Sequence, residues 1–186
     1  MLLRHNVAMA IHEVALRFVS AGDLGLMRKV NRWLPPRWLR LWMIWATRAG
    51  DGWLWAAAGL LIALLGGECR WIALAAGAGS AAAGIATFQS LKRLANRRRP
   101  CEIEPHAWAD LLPPDRFSFP SGHSMTAFAV TVSLAFFYAA LLLALLVCAF
   151  SIAASRVMLG MHFLSDVLAG AALGSWLGYA FARLIA

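Results

Sequence analysis

Between Ser121 and Gly160 the chain runs for 40 residues with a single formal charge, Arg156. As one helix that run would measure about 60 Å, twice the roughly 30 Å of a bilayer's hydrocarbon core. It must therefore fold back once within a membrane, and the turn is expected near Tyr138 to Ala140, although no polar loop marks it. Composition agrees. Hydrophobic residues make up 61% of the 186, charged residues only 14%, and mean hydropathy is +0.67, whereas a soluble globular chain carries about 25% charged residues. The chain is read as an integral membrane protein.

The rest can be ordered around that run. Residues 1–20 place Val7, Ile11, Val14 and Phe18 at helical spacing with charges between them, which suits a helix lying in the membrane interface. Arg4, His5, His12, Glu13 and Arg17 interrupt any apolar core, so this stretch is not read as a cleaved signal peptide. A second such piece, Leu24 to Leu34, is broken by Pro35 and Pro36. Arg37 to Trp45 then supplies Trp38, Trp42 and Trp45, aromatics that favour the headgroup region. The three pieces are expected to form a collar at one surface.

Crossings are expected from Trp53 to Gly67, from Trp71 to Leu91, along the two arms of the Ser121–Gly160 run, and from His162 or Phe163 to Leu184. The expected architecture is all-α: a polytopic membrane helix bundle of about five transmembrane helices with N-terminal interfacial amphipathic helices. Residues 1–50 would form the interfacial region and residues 51–186 the transmembrane core. By parity, the polar break before Trp53, the Lys92–Ser121 loop and the Arg156–Asp166 turn all fall on one membrane face.

Net charge is +8, from 17 Lys and Arg against nine Asp and Glu. Such an excess could mark a nucleic-acid binder, a membrane surface or an anionic substrate, and nucleic acid is the weakest of these because no soluble basic domain remains. Cys69, Cys101 and Cys148 form no CxxC pair and are too few for a disulfide framework or a cysteine metal site. They are read as packing or loop residues.

Polar residues at the ends of apolar segments are costly unless they have a function, and three stretches carry them. Lys92 and Arg99 are seven residues apart. If the helix continues past Leu91 they share one face and can hold an anion between a point charge and a planar fork; Pro100 is the expected stop. The alternative is a snorkelling basic cap, which suits Arg93, Arg97 and Arg98. Pro120-Ser121-Gly122-His123 opens a helix, with Ser121 as N-cap, Gly122 admitting an anion to the backbone amides, and His123 placed to give a proton; an ordinary cap with an interfacial His is the alternative. Arg156, His162 and Asp166 form the third stretch. His162 and Asp166 stand at i, i+4, so the carboxylate could fix the imidazole tautomer and leave the other nitrogen a nucleophile. Asp166 could instead pair with Arg156, or join His162 in a metal half-site, but two ligands fall short of a site.

Lys92-x6-Arg99-Pro100, Pro120-Ser121-Gly122-His123 and Ser155-Arg156-x5-His162-x3-Asp166 together resemble the three-part signature of the type 2 phosphatidic acid phosphatase family, relatives of the vanadium haloperoxidases. The resemblance spans residues 92–166 and every signature position is present. It implies an enzyme in which His162 attacks phosphorus to form a phosphohistidine, Asp166 orients it and His123 protonates the leaving group. Lys92, Arg99, Arg156, Ser121 and the Gly122 amide would hold the phosphoryl oxygens, with no metal and no cofactor. Substrates implied for a small bacterial member are lipid phosphates and diphosphates, such as polyprenyl diphosphate, phosphatidic acid, phosphatidylglycerophosphate and lipid A. The N-terminal region lacks the sixth crossing of larger members, and loop residues His106, Trp108 and Asp110 read as lid residues.

A lipid-to-lipid phosphotransferase, a haloperoxidase and a non-catalytic lipid-phosphate binder are the competing readings. Haloperoxidase relatives are soluble, and a binder needs cations but no nucleophile. The expected location is the inner (plasma) membrane, multi-pass. Eight Lys and Arg lie near the polar face (Arg48, Lys92, Arg93, Arg97, Arg98, Arg99, Arg116 and Arg156) against Arg70 and Arg183 opposite, which by the positive-inside rule points to the cytoplasm. The resemblance implies a periplasmic or outer active face, and that is the expectation adopted.

Overall fold

The computed structural model describes residues 21–104 and 115–186. The interfacial helix expected over residues 1–20 and the lid residues His106, Trp108 and Asp110 lie outside the described residues. Helix α1 occupies residues 21–32. It is followed by α2 (Arg37–Ala49), α3 (Trp53–Leu65), α4 (Arg70–Ala95), the single turn α5 (Pro100–Ile103), α6 (Gly122–Phe137), α7 (Leu142–Met158) and α8 (Leu164–Ile185). The described residues form a helical membrane bundle.

Among the described residues, three spans are long and apolar enough to cross a bilayer: Arg70–Ala95, Ala139–Met158 and Leu164–Ile185. The other two expected crossings are shorter. Helix α3 has 13 residues and α6 has 16, about 20 and 24 Å at 1.5 Å per residue. The fold-back falls where expected: α6 stops at Phe137, a 3-10 turn covers Ala139–Leu141, and Tyr138 Oη donates to the Gly66 carbonyl at 2.8 Å. That bond ties this turn to the α3–α4 turn at the far end of the bundle.

Helix α6 is the axis, buried on nearly every side. Ala127 and Phe128 pack with Ala149, Ile152 and Ala153 of α7 and Val167 of α8, while Val130 and Leu134 pack with Ile62 of α3, Ala73 of α4 and Leu145 of α7. The outer surface is inverted relative to a soluble protein, with Leu60, Leu64, Leu143, Phe150, Leu168 and Trp176 exposed, as lipid-facing helices require. Helix α2 packs against α7 and the loop after it, where Met43 clusters with Leu159 and Met161, while Trp38, Trp42 and Trp45 stay exposed.

The closest approach is between α6 and α8, and glycine makes it possible. A Cβ at Gly170, Gly174 or Gly178 would sit 2.5, 2.1 and 2.3 Å from the carbonyl oxygens of Ser121, Met125 and Ala129. Each step of four along α8 matches a step of four along α6, so the two backbones lie in contact over two turns. The ladder ends at the site: the Ser121 N–H donates to the Asp166 carbonyl at 3.0 Å.

Candidate functional site

Helix α4 ends at Ala95, where Asn96 turns left-handed (φ +46°) and its N–H closes on the Lys92 carbonyl at 3.2 Å. The continuous helix expected from Lys92 to Arg99 does not form, and the two cations share no helix face. They meet by another route. Arg98 bridges Phe117 and the Ser118 N–H donates to the Arg97 carbonyl, which folds the Asp115–Ser118 segment back over Arg99. Lys92 Nζ then donates to Asp115 Oδ2 at 2.6 Å and Arg99 Nη2 to Oδ1 at 2.8 Å, while Arg99 Nε donates to the Asp115 carbonyl at 2.7 Å. Burial pushes the Asp115 carboxyl up, but the hydrogen bonds and charges of Lys92 and Arg99 outweigh it and hold it below the usual range. Arg99 is 1% exposed. Two cations so placed repel each other unless an anion lies between them, and here a side-chain carboxylate takes that position.

Arg156, near the end of α7, is also buried. Its Nη1 donates to Thr47 of α2, but its Nε has no hydrogen-bond partner among the described residues. A buried donor left without a partner costs about 1–3 kcal/mol, so this atom favours an acceptor from outside.

His162 lies between α7 and α8 in a loop that Gly160 (φ +67°) allows to turn, with the Met161 and His162 N–H groups donating to the Arg156 carbonyl at 3.0 Å. It is 2% exposed. Its Nδ1 lies 2.6 Å from the Ser118 carbonyl, which can only accept, so Nδ1 carries the proton. Nε2 keeps the lone pair and faces Arg99 Nη1 at 3.2 Å. Burial, and the charges of Arg156, Arg99 and Lys92 after it, push the imidazole well below its ordinary value. It is a neutral base among three cations.

Asp166 does not hold the tautomer as i, i+4 spacing suggested. His162 precedes α8, and its Nδ1 is 3.8 Å from Asp166 Oδ2, beyond hydrogen-bond range. Asp166 instead accepts from the Phe163 N–H at 2.8 Å, closing the first turn of α8, and from Arg97 Nη1 at 2.6 Å. Nor does it pair with Arg156. Arg97, expected as a snorkelling cap, thus sits between Asp166 and Asp23 of α1 (2.7 Å to Oδ2) with its guanidinium 4.2 Å from the Phe163 ring centroid. Arg93 and Arg98 are exposed, as a cap requires.

Ser121 is the N-cap of α6 as expected, its Oγ accepting from the Ser124 N–H. Gly122 has a packing reason beyond anion access: a Cβ there would meet the Phe88 ring at 3.0 Å, and Lys92 Nζ lies 5.2 Å from that ring's centroid. His123 Nε2 lies 2.8 Å from Asp51 Oδ1, in the α2–α3 turn. The carboxylate–imidazole bond expected in the third stretch is found here instead.

The structure therefore brings together Lys92, Arg99, Arg156 and His162, with Ser121, Gly122 and His123 at the adjoining helix start and Asp166 one step behind. Neither Asp51 nor Asp115 is singled out by the sequence, and Arg97 suits only a snorkelling cap there. The available signal for Asp51 was parity, which put the Arg48–Gly52 break on the site face; Asp115 and Arg97 carry no spacing signal. Among the described residues no three His, Cys, Asp or Glu side chains gather as metal ligands.

Comparison with known proteins adds to this geometry. Residues 71–186 match the PAP2 superfamily. A lipid A 1-phosphatase of Rhizobium johnstonii is 37% identical over 90 residues, 46% of this chain and 37% of that protein. The chain thus spans less than half the length of that relative. A decaprenylphosphoryl-5-phosphoribose phosphatase of Mycobacterium tuberculosis is 36% identical over 127 residues, 68% of each chain. The crystal structure of a transmembrane PAP2 type phosphatidylglycerolphosphate phosphatase from Bacillus subtilis superposes with a TM-score of 0.69 at 25% identity, covering 98% of this chain and 92% of that one.

Proposed function

The chain belongs to the PAP2 superfamily, and on that premise we propose that it is a membrane phosphatase that removes a phosphate or diphosphate group from a lipid through a phosphohistidine. The observation that carries this reading is the lone-pair Nε2 of His162 set beside Arg99, within the field of Arg156 and Lys92. A binding site needs only the cations; a neutral imidazole held among them serves nucleophilic attack.

In the first step the Nε2 lone pair forms a bond to phosphorus. The bond from phosphorus to the lipid oxygen breaks with its electron pair, and His123 gives that oxygen a proton. Water then attacks phosphorus, His123 takes up its proton, and the P–N bond returns its pair to Nε2. Lys92, Arg99, Arg156, Ser121 and the Gly122 amide hold the phosphoryl oxygens as charge redistributes, with the substrate replacing the Asp115 carboxylate between Lys92 and Arg99. Asp166 acts through the backbone, fixing the start of α8 and hence His162. No metal enters these steps.

The relatives named above act on three different phosphorylated lipids, so the substrate class is a lipid phosphate or diphosphate. The deciding assay measures inorganic phosphate released in detergent micelles, with chelator and no acceptor lipid, from phosphatidic acid, phosphatidylglycerophosphate, polyprenyl diphosphate and lipid A. Stoichiometric phosphate from at least one, blocked by vanadate, is expected. Release only when a second lipid is added would make the enzyme a phosphotransferase, and strict magnesium dependence would sink the mechanism.

The site is placed on the periplasmic or outer face of the inner membrane. Lys92, Arg97, Arg99 and Arg156 are engaged within the site, so half of the eight basic residues on that face reflect chemistry and not topology. Burial pushes the Cys101 thiol up, which makes it a poor probe, whereas Cys69 in the α3–α4 turn is exposed on the opposite face. Cys69 should resist an impermeant maleimide in intact cells and react after lysis; labelling of intact cells would reverse the assignment.

A further inference from the structure

The turn Gly50-Asp51-Gly52 is fitted to the ring of His123. Gly52 adopts φ +123°, a conformation that favours glycine. At Gly50 a Cβ would lie 2.9 Å from His123 Cδ2 and 2.9 Å from Ile152 Cγ2, so the turn's backbone lies flush against the ring edge. Between them, Asp51 Oδ1 reaches His123 Nε2 at 2.8 Å, and the only other ion-pair partner of Asp51 among the described residues, Arg48, is 3.8 Å from Oδ2. His123 thus has one ring edge packed and one nitrogen held. Its other charged neighbours among the described residues, Arg156 of α7 and Lys92 of α4, are both cations.

From this juxtaposition we propose that Asp51 is the positioning residue for proton delivery. By accepting the Nε2–H it fixes the ring and offsets the two cations, so that the transferable proton resides on Nδ1. The inference rests on the reading of His123 as the proton donor. Nδ1–H gives its proton to the lipid oxygen as the P–O bond breaks, leaving a neutral ring still bonded to Asp51 through Nε2–H. Nδ1 then receives the proton of the attacking water. Asp51 itself gains and loses nothing, as with the orienting carboxylate of a catalytic triad.

The test compares two substrates in the full chain: phosphatidic acid, and its analogue with sulfur in the bridging position, whose thiolate leaves without a proton. Asp51→Asn should lower kcat for phosphatidic acid about 10–100-fold, the usual effect of losing an orienting partner, with KM within about twofold. The sulfur-bridged lipid should lose less than about threefold, because proton transfer contributes little to its departure. His123→Ala should show the same selectivity, more strongly. Equal losses of the two substrates in Asp51→Asn, or no loss, would overturn the role of Asp51 while the selectivity of His123→Ala leaves the donor reading intact. Equal losses in His123→Ala would remove both. Asp51 is partly exposed and asparagine is isosteric, so melting temperature should hold; Asp51→Ala, tested alongside, should reproduce the selectivity.

Discussion

Replacing Arg97 by alanine probes the support beneath the nucleophile. The guanidinium reaches Asp166 Oδ1 at 2.6 Å, Ser165 Oγ at 2.7 Å and Asp23 Oδ2 at 2.7 Å. The Asp166 side chain is 0% exposed and that of Asp23 is 5%, against 24% for Arg97. Removing one partner of a buried ion pair costs about 3–5 kcal/mol because the other charge is left uncompensated. Water can enter at the partly exposed arginine, so the low end applies, about 3 kcal/mol. For a chain of this length that corresponds to a fall in Tm of about 6–12 °C. Thermal unfolding in detergent would be followed for wild type, Arg97→Ala, Asp166→Asn and the double variant. The double variant should recover part of the loss, since of the two buried carboxylates only Asp23 is then left without its cation, giving a coupling of about 1–3 kcal/mol. A Tm within 2 °C of wild type for Arg97→Ala would restore the solvated-cap reading and refute the reasoning.

Gly174→Ala drives a Cβ to 2.1 Å from the Met125 carbonyl oxygen, whereas Gly59→Ala meets only Leu74 Cδ2 at 3.6 Å. The first should cost about 1–3 kcal/mol in thermal unfolding and the second should be tolerated; equal effects would refute the ladder. Asp115→Asn removes the anion that competes with substrate, and because its side chain is 38% exposed only about 0.5–1 kcal/mol is at stake. Vanadate inhibition should tighten about two- to fivefold; weaker inhibition would show that Asp115 assembles the seat. The imidazole of His162 is held well below its ordinary value of 6.5, so the folded state resists protonating it. Its contribution to stability is present above pH 6.5 and is lost as pH falls through the folded value. Denaturation in detergent should therefore show stability falling below pH 6.5 in wild type more steeply than in His162→Gln; parallel profiles would contradict the neutral base.

Apolar runs exposed the bundle directly, because a long uncharged stretch has few places to fold, and parity then carried Lys92, His123 and His162 to one face. What spacing could not supply was the route by which side chains meet. Lys92 and Arg99 looked like neighbours on a helix, yet Asn96 ends that helix and Asp115, from a loop with no periodicity, joins them. The i, i+4 relation of His162 and Asp166 assumed a helix that starts two residues later. The orienting hydrogen bond comes from the Ser118 backbone carbonyl, a group every residue possesses and no sequence pattern marks. For the glycines at 170, 174 and 178, only the facing carbonyls of α6 show why nothing larger fits.

The central claim is covalent chemistry at His162. Wild-type enzyme mixed with lipid carrying radiolabelled phosphate and quenched within milliseconds should hold label that is acid-labile, stable to base and mapped to the His162 peptide. His162→Ala should be folded, unlabelled and inactive. Label on another residue, or turnover that survives in His162→Ala, would contradict the account.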